Sequence, residues 1–441
     1  MDKFINSNQI QEILNLINQK KFDDAINKIE KLSIELPNNK ILNKLLASTY
    51  FNKMDWHNSI KYHEKILFDE KDKYKIFTNI GYAYFKLGKI NQSIDAYENS
   101  IKDNSNFELA YNNLAIAYIE IGQYEKAYDV LSKILKLNKN NYFAQKNLIY
   151  LLNFINPKKN NEEDNFLLEI NSKIKYLTNN LNLNDLYKIS NLKKIFLNSE
   201  KEIKKYYKDL TFKETQIYRK NSIDLNCKRH FQVFNKFNII PKFCFSCYKV
   251  QINLNNVLDL IKLYFVFDYI SLENNNIRKC LVELRKNVNG NYKGYIYCRE
   301  LAEAKKIEEQ VNNLIKQEFK NYKIEIKHGC TEFYKSFPKF NNINMHGKQD
   351  IEYDEKWAEK ENIIDNLEPL RSDLDKKVLI ESVKGINLSD ILIIKNWLVY
   401  ASIIGDESYK KIYPNELHKT FLNDILLDQL SFRKNNQKQT I

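Results

Sequence analysis

The sequence predicts an α+β protein of several domains, in which a solenoid of paired helices is followed by a domain with the element order βαββαβ and helical flanks. Three observations support this prediction. Similar residues recur every 34 positions in the first third of the chain, apolar residues alternate as in strands between residues 243 and 339, and the 441 residues include only 9 Gly and 6 Pro. Scarce glycine and proline favour long helices over a turn-rich all-β fold.

The 34-residue repeat is clearest between residues 77–84 and 111–118. The matching columns pair Phe77 with Tyr111, Asn79 with Asn113, Ile80 with Leu114, Gly81 with Ala115, Tyr84 with Tyr118 and Gly88 with Gly122. A further column contains only small residues, namely Ala25, Ser59, Ser93 and Ala127, and we expect the two helices of each repeat to cross closely there. These columns predict four repeats over residues 6–140 and a capping helix, which together occupy residues 1–154.

This period, with an aromatic, an aliphatic, a small residue and a tyrosine at fixed offsets, resembles the tetratricopeptide repeat (TPR) family. The resemblance implies a short solenoid whose first helices line a concave groove, and a function in binding another protein. In TPR proteins that bind extended peptides, an asparagine ladder on the first helices holds the peptide backbone, and Asn79, Asn113 and Asn147 occupy the corresponding column. An amide both donates and accepts hydrogen bonds, so it suits a main chain of any sequence. The alternative is a chance column, because the chain contains 60 asparagines.

Charge and cysteine content suggest where the protein works. The net charge is +13, and residues 151–250 account for +9 of it (19 basic minus 10 acidic residues). Such an excess attracts acidic partners or nucleic acid, although a solvated helical surface is the alternative. We expect no signal peptide and no membrane span, because the apolar stretches 257–270 and 391–404 are short and interrupted by charges. Six cysteines without an export signal indicate reduced thiols and a cytoplasmic location.

The remainder of the chain divides by composition and periodicity. Residues 155–165 read as a polar linker, 166–242 as a basic helical connector, 340–375 as an irregular segment, 376–432 as a helical C-terminal tail and 433–441 as a frayed end. Within residues 243–339 the predicted strands cover about 248–252, 280–284, 292–298 and 323–327, and the predicted helices 257–270 and 301–319. The order βαββαβ suggests a ferredoxin-like domain. A hairpin turn centred on Asn289 would place Cys280 opposite Cys298.

Two groups of residues in this part suggest binding chemistry. Cys227, His230, Cys244 and Cys247 have the spacing C-x2-H-x13-C-x2-C, which suits a tetrahedral zinc site, the one cofactor that the sequence suggests. Free buried thiols and a structural histidine are the alternative.

The second group lies on the predicted sheet. The segment Lys293-Gly294-Tyr295-Ile296-Tyr297 resembles the third strand of the RNA-recognition domain, whose exposed aromatics stack on bases, and the resemblance implies nucleic-acid contacts by Lys249, Arg285, Lys293, Tyr295 and Tyr297. Exposed tyrosines of an ordinary sheet are the alternative. A glycine-rich phosphate loop and a G-x-S-x-G motif are both missing from the sequence. The sequence therefore favours a protein-interaction scaffold, with an RNA-binding protein or an enzyme of the C-terminal part as alternatives.

Overall fold

The protein is described by a computed structural model that covers residues 6–67, 71–157, 165–367, 380–415, 417 and 420–438. The chain forms two compact units, of which the first ends at Leu148 and the second begins at Ile149. The part of the chain within these ranges contains no helix that is both long and apolar enough to cross a membrane.

Helices form the secondary structure of the described part of the first unit. They are α1 (Ser7–Asn18), α2 (Phe22–Glu35), α3 (Lys40–Lys53), α4 (Trp56–Leu67), α5 (Lys73–Lys86), α6 (Ile90–Asp103), α7 (Glu108–Glu120), α8 (Tyr124–Leu137) and α9 (Tyr142–Leu151), the last of which contains the boundary between the units. Each helix from α1 to α7 packs against the one that follows it. The helices thus recur with the 34-residue period of the sequence.

The column of small residues predicted to lie at helix crossings is buried in the first unit. Its four members, Ala25, Ser59, Ser93 and Ala127, are fully buried. A second close approach lies at Gly81 on α5, where an added Cβ would come within 2.6 Å of Cε1 of Tyr97 on α6. Carbon atoms in good contact lie about 3.5–4.0 Å apart, so this site has no room for a side chain.

The turn between the two helices of each repeat also repeats its geometry. Lys20, Met54, Gly88 and Gly122 are spaced by 34 residues, and their φ angles are 59°, 65°, 74° and 75°. Glycine adopts this left-handed conformation without strain, whereas other residues do so at a cost of about 1–2 kcal/mol. The first two repeats therefore keep the turn although they lack the glycine.

The second unit combines helices with one sheet. In chain order its elements are α10 (Phe166–Tyr176), α11 (Leu183–Tyr187), α12 (Ile189–Lys204), β1 (Gln216–Arg219), α13 (Cys227–Phe237), α14 (Lys242–Ser246), β2 (Tyr248–Leu254), α15 (Val257–Tyr269), β3 (Arg278–Val282), β4 (Tyr292–Cys298), α16 (Leu301–Ile315), β5 (Tyr322–His328), α17 (Trp357–Leu367), α18 (Leu388–Ile404), α19 (Phe421–Leu426) and α20 (Leu430–Lys438). Short 3-10 helices occupy Glu332–Lys335, Pro338–Asn341 and Glu407–Lys411.

The sheet has the strand order β1-β3-β4-β2-β5, and every neighbouring pair is antiparallel. Helices α15 and α16 pack against its strands. Gly294 on β4 permits this packing, because a Cβ there would lie 2.4 Å from Cδ2 of Leu263 on α15. The chain therefore has an α+β architecture, as predicted, with helical repeats followed by a five-stranded antiparallel sheet.

A buried ionic network joins β1 to α15 and α18. The Arg219 guanidinium lies 2.6 Å from Oδ1 of Asp268 and 2.9 Å from Oδ2 of Asp390, and the Tyr264 hydroxyl donates to the same Asp390 oxygen at 2.9 Å. Arg219 and Asp390 are buried. A buried ion pair is stable only when its remaining polar atoms are bonded, and here each partner has several bonds.

Several predictions for the second unit need correction. Strand β1 lies in the segment predicted as a helical connector, and α17 lies in the segment predicted as irregular. The β3–β4 register pairs Cys280 with Gly294, while Cys298 pairs with Tyr248 on β2, so the two cysteines do not face each other. Most of the predicted linker lies outside the described residues.

The predicted frayed end is also wrong for residues 433–438, which belong to α20. Arg433 on this helix is fully buried. Its guanidinium donates to the carbonyl oxygen of Val288 at 2.8 Å and to that of Arg285, both in the β3–β4 connection. The C-terminal helix is thus held by the sheet's hairpin.

Candidate functional site

The three asparagines of the predicted ladder lie on successive first helices of the repeats. Asn79 is on α5, Asn113 on α7 and Asn147 on α9, and each is half-buried. Among the described residues, the side chains of Asn113 and Asn147 have no hydrogen-bond partner. Two of the three amides are therefore available to a ligand.

Asn79 has one partner inside the protein. Its Nδ2 lies 3.2 Å from Nε2 of His63, whose Nδ1 lies 2.8 Å from the carbonyl oxygen of Ser59. Since a carbonyl oxygen accepts, Nδ1 of His63 carries the proton and Nε2 accepts from the Asn79 amide. Burial lowers the pKa of His63, which favours this neutral form. The side-chain oxygen of Asn79 is left as an acceptor.

An aromatic cluster that the sequence analysis missed adjoins this histidine. The ring of Phe51 lies 5.6 Å from Tyr82, 5.5 Å from Trp56 and 6.1 Å from His63, measured between centroids. Phe51, Trp56 and Tyr82 are all half-buried, so part of each ring faces solvent. The recurrence of Phe51 as Phe85, 34 residues later, was the signal that could have pointed to it.

Asn112, which neighbours the ladder in sequence, has a different role. It is 5% exposed, and its amide donates to the carbonyl oxygen of Glu108 at 3.2 Å and to Oδ1 of Asn141 at 3.3 Å. This asparagine therefore holds α7 to the start of α9 and contributes nothing to the ladder face.

The predicted nucleic-acid face does not expose its aromatics. Tyr295 is only 4% exposed and Tyr297 is half-buried. Lys293 is buried in an ion pair with Glu283 at 2.9 Å, and the Arg285 guanidinium binds the same carboxylate at 2.7 Å. A platform for stacking bases needs open rings and free cations, so the prediction fails for these residues.

Two lysines cover the Tyr295 ring instead. The ammonium nitrogens of Lys249 and Lys279 lie 5.2 Å and 5.5 Å from its centroid. Lys249 donates to the carbonyl oxygen of Gly329 at 3.1 Å, and Lys279 donates to Oε1 of Gln216 at the same distance. Burial lowers the pKa of both ammonium groups to about 8. Sequence alternation placed Lys249 and Tyr295 on one face but could not show that the lysine covers the ring, and it did not identify Lys279.

The predicted zinc ligands are not gathered into a metal site. Within the described ranges, no group of three or more His, Cys, Asp or Glu side chains could hold a metal ion. Cys244 belongs to an apolar cluster with Ile240, Phe333 and Phe340. His230 stacks on Phe243 with centroids 5.2 Å apart. Two of the four predicted ligands therefore pack against aromatic rings, and the zinc site has no support among the described residues.

Cys227 and His230 are nevertheless close together. Interactions with Cys330 and His230 lower the pKa of the Cys227 thiol to about 5. Cys330 was not among the predicted ligands, and the sequence offers no spacing that connects it to Cys227.

Comparisons with known proteins bear on the first unit. A family model described as TPR repeat matches residues 81–122, and one described as Tetratricopeptide repeat matches residues 108–141. A comparison with curated proteins gives no match.

Solved structures were compared as well. A crystal structure of MamA protein is 19% identical and covers 46% of this chain and 96% of its own, with a TM-score of 0.31. The structure of MamA 41-end from Desulfovibrio magneticus RS-1 is 14% identical and covers 32% and 81%, with a TM-score of 0.30. The TPR2B-domain:pHsp70-complex of yeast Sti1 is 24% identical and covers 23% and 85%, with a TM-score of 0.22. Sequence identities and TM-scores this low do not indicate a function for this chain.

Proposed function

We propose that this chain, whose first unit contains tetratricopeptide repeats, is an interaction scaffold that captures an extended peptide segment of a partner protein along its first helices. The observation that carries the proposal is the ladder of Asn79, Asn113 and Asn147 on α5, α7 and α9. Amides at one position of successive repeats suit an extended peptide, because each amide can both donate to and accept from its backbone.

The surroundings of the ladder add a preference in side chains. The half-buried rings of Phe51, Trp56 and Tyr82 provide apolar surface beside His63, and therefore beside Asn79. Aromatic residues contribute large contact areas to binding hot spots. We therefore expect the captured peptide to place an apolar side chain next to α3 and α5, while the ladder binds its backbone.

The experiment is a selection of peptides from a displayed random library on the full-length protein, followed by affinity measurements on the selected peptides. Each ladder amide that is removed leaves a peptide group without a partner, at a cost of about 1–3 kcal/mol. Since about 1.4 kcal/mol corresponds to a tenfold change, the triple variant with Asn79, Asn113 and Asn147 replaced by alanine should bind at least about tenfold more weakly.

The matched control replaces three exposed asparagines that do not belong to the first helices. They are Asn27 on α2, Asn99 on α6 and Asn106 in the connection between α6 and α7. This control should retain the affinity within about twofold, because exposed substitutions change little. Equal binding by the two triple variants would show that the ladder is a product of asparagine-rich composition. Asn112 is unsuitable as a control because it is buried and bonded.

We propose in addition that β2 to β5 with α15 and α16 form a ferredoxin-like domain, to which β1 adds an edge strand. The order β5-β2-β4-β3 with antiparallel neighbours supports this assignment. An experimental structure with a different strand order would contradict the fold assignment.

A cytoplasmic location is proposed from the six free cysteines, and fractionation of cells that express a tagged chain would test it.

A further inference from the structure

A pocket opens in the first unit between two of the second helices of the repeats. Its volume is about 340 Å³, and it lies between α6 and α8 over one face of α7. Tyr111, Leu114 and Tyr118 share that face, because they are three and four residues apart on the helix. They are at most 9% exposed and form the floor of the pocket. The ladder residue Asn113 lies on another face of α7, so the pocket is separate from the ladder.

The 34-residue period shows what the equivalent place holds two repeats earlier. There, Tyr50 corresponds to Tyr118, and Tyr62 corresponds to Val130, which lines the pocket. The rings of Tyr50 and Tyr62 are stacked, with their centroids 5.5 Å apart and their planes inclined by 11°. An aromatic ring thus occupies, in the second repeat, the position at which the fourth repeat has only a valine.

The walls of the two places are otherwise alike. The Tyr50 hydroxyl donates to Oε1 of Glu30 at 3.1 Å, and the Tyr118 hydroxyl donates to Oε1 of Glu98 at 2.9 Å. The floor residue Leu114 is as deeply buried as its counterpart two periods earlier, with exposed fractions of 4% and 1%. Since the walls match, the ring in the second repeat indicates the kind of group that fits the open pocket of the fourth.

A lysine at the rim also recurs. The ammonium nitrogen of Lys65 lies 4.8 Å from the centroid of the Tyr62 ring. Lys133 has the same position two periods later, lines the pocket and is exposed. The described part of the chain gives its ammonium group no ion pair. A cation is attracted to the face of an aromatic ring, so Lys133 is placed to cover a ring that enters the pocket.

The charges of the lining favour an acidic ligand. Three lysines, Lys102, Lys126 and Lys133, line the pocket together with two carboxylates, Glu98 and Asp129. Glu98 already accepts a hydrogen bond from a tyrosine hydroxyl of the floor. The three lysines are exposed, and opposite charges on a ligand would lie beside them. Complementary charge of this kind contributes mainly to specificity and to the rate of association.

We propose that this pocket is a second docking site, which binds a tyrosine or phenylalanine side chain from an acidic segment of a partner protein. The ring stacks on Tyr118 beneath Lys133, as the ring of Tyr62 stacks on Tyr50 beneath Lys65. The acidic neighbours of the bound residue lie beside the other two lysines of the rim. The proposal does not rest on peptide capture by the ladder, because the two sites use different faces of α7.

The experiment is isothermal titration calorimetry of the full-length protein with three end-blocked pentapeptides. The first probe is Glu-Asp-Tyr-Asp-Glu. The second has alanine in place of the tyrosine, and the third has lysine in place of the four acidic residues. We expect the first peptide to bind at least about tenfold more tightly than either of the others, because aromatic anchors account for much of the affinity of such contacts.

Variants of the protein locate the binding. Val130→Tyr supplies the ring from within, as Tyr62 does in the second repeat, and should weaken binding of the first peptide at least about tenfold. The matched control is Leu109→Tyr, which adds the same ring to α7 at a site that is 51% exposed and outside the pocket. It should retain the affinity within about twofold. The triple ladder variant should also bind the first peptide like the unmodified protein.

Several results would overturn the proposal. They are equal binding of the tyrosine and alanine peptides, undiminished binding by Val130→Tyr, and loss of the first peptide by the triple ladder variant, which would assign the probe to the ladder. Self-association that Val130→Tyr abolishes, seen by analytical ultracentrifugation, would show that a second copy of this chain occupies the pocket instead. Should Val130→Tyr fail to fold, Lys133→Glu at the exposed rim decides the question, since it should weaken binding of the first peptide at least about fivefold.

Discussion

Replacing Gly81 by alanine should have opposite effects on stability in two backgrounds. In the unmodified protein the new Cβ would lie 2.6, 2.7 and 3.1 Å from three ring carbons of Tyr97, which is 1% exposed. Such overpacking costs about 1–3 kcal/mol. Alanine inside a helix is favoured over glycine by about 1 kcal/mol, so the net change is a loss of up to about 2 kcal/mol. With Tyr97→Ala the obstacle is gone, and the same substitution should stabilise α5 by about 1 kcal/mol.

The assay is hydrogen exchange of the α5 and α6 amides, measured by mass spectrometry on the full-length protein and its single and double variants. It reports the stability of these helices separately from that of the second unit. A coupling free energy of about 1–3 kcal/mol between the two sites is expected from the double-mutant cycle. Additive effects, with a coupling below about 0.5 kcal/mol, would refute the close approach of α5 and α6 at Gly81.

Two further predictions concern the turn and the buried charges. Gly88→Ala should destabilise the repeats by about 1–2 kcal/mol, because the φ angle of Gly88 is 74°. Gly88→Asn should destabilise them less, because asparagine tolerates the left-handed conformation. Hydrogen exchange of the α5 and α6 amides compares the two variants. Burial alone would raise the pKa of Glu283, but bonds from Arg285 and the charge of Lys293 lower it to about 2, below the usual value of 4.5. The stabilisation from this carboxylate is therefore complete above pH 4.5 and lost as the pH falls toward 2. Glu283→Gln should lower the urea midpoint of the second unit at pH 7, and the difference in midpoint from the unmodified protein should shrink below pH 4.5. A difference in midpoint that does not change with pH would contradict this account.

The first unit could be predicted well from the sequence because its contacts are local. Each repeat packs on its neighbours, so a buried position such as Ser93 recurs 34 residues away at Ala127 with the same size restriction. The turn position shows the limit of this reasoning. Lys20 and Met54 adopt the left-handed conformation without glycine, so the pattern is weaker in sequence than in structure.

For the second unit, the sequence predicted most of the secondary-structure elements but not the contacts between them. Alternating residues identified β2 to β5, yet β1 was missed, because its place depends on the bond of Arg219 to Asp390, which is 171 residues away. The same limit applies to the site residues. Alternation correctly put Tyr295 and Lys249 on one face, but only the structure shows that the lysine covers the ring.

The neighbouring pair Asn112 and Asn113 shows how a buried asparagine differs from one on the ladder. Buried polar groups are usually hydrogen-bonded, and the Nδ2 group of the buried Asn112 has two acceptors, the carbonyl oxygen of Glu108 and Oδ1 of Asn141. The side chains of Asn113 and Asn147 have no hydrogen-bond partner among the described residues. Their amides lie half-buried at a position that repeats through α5, α7 and α9, where drift would place any polar residue equally well. The substitutions of Asn113 and Asn147 separate the two explanations best, because these amides have no partner among the described residues, whereas Asn79 also bonds to Nε2 of His63.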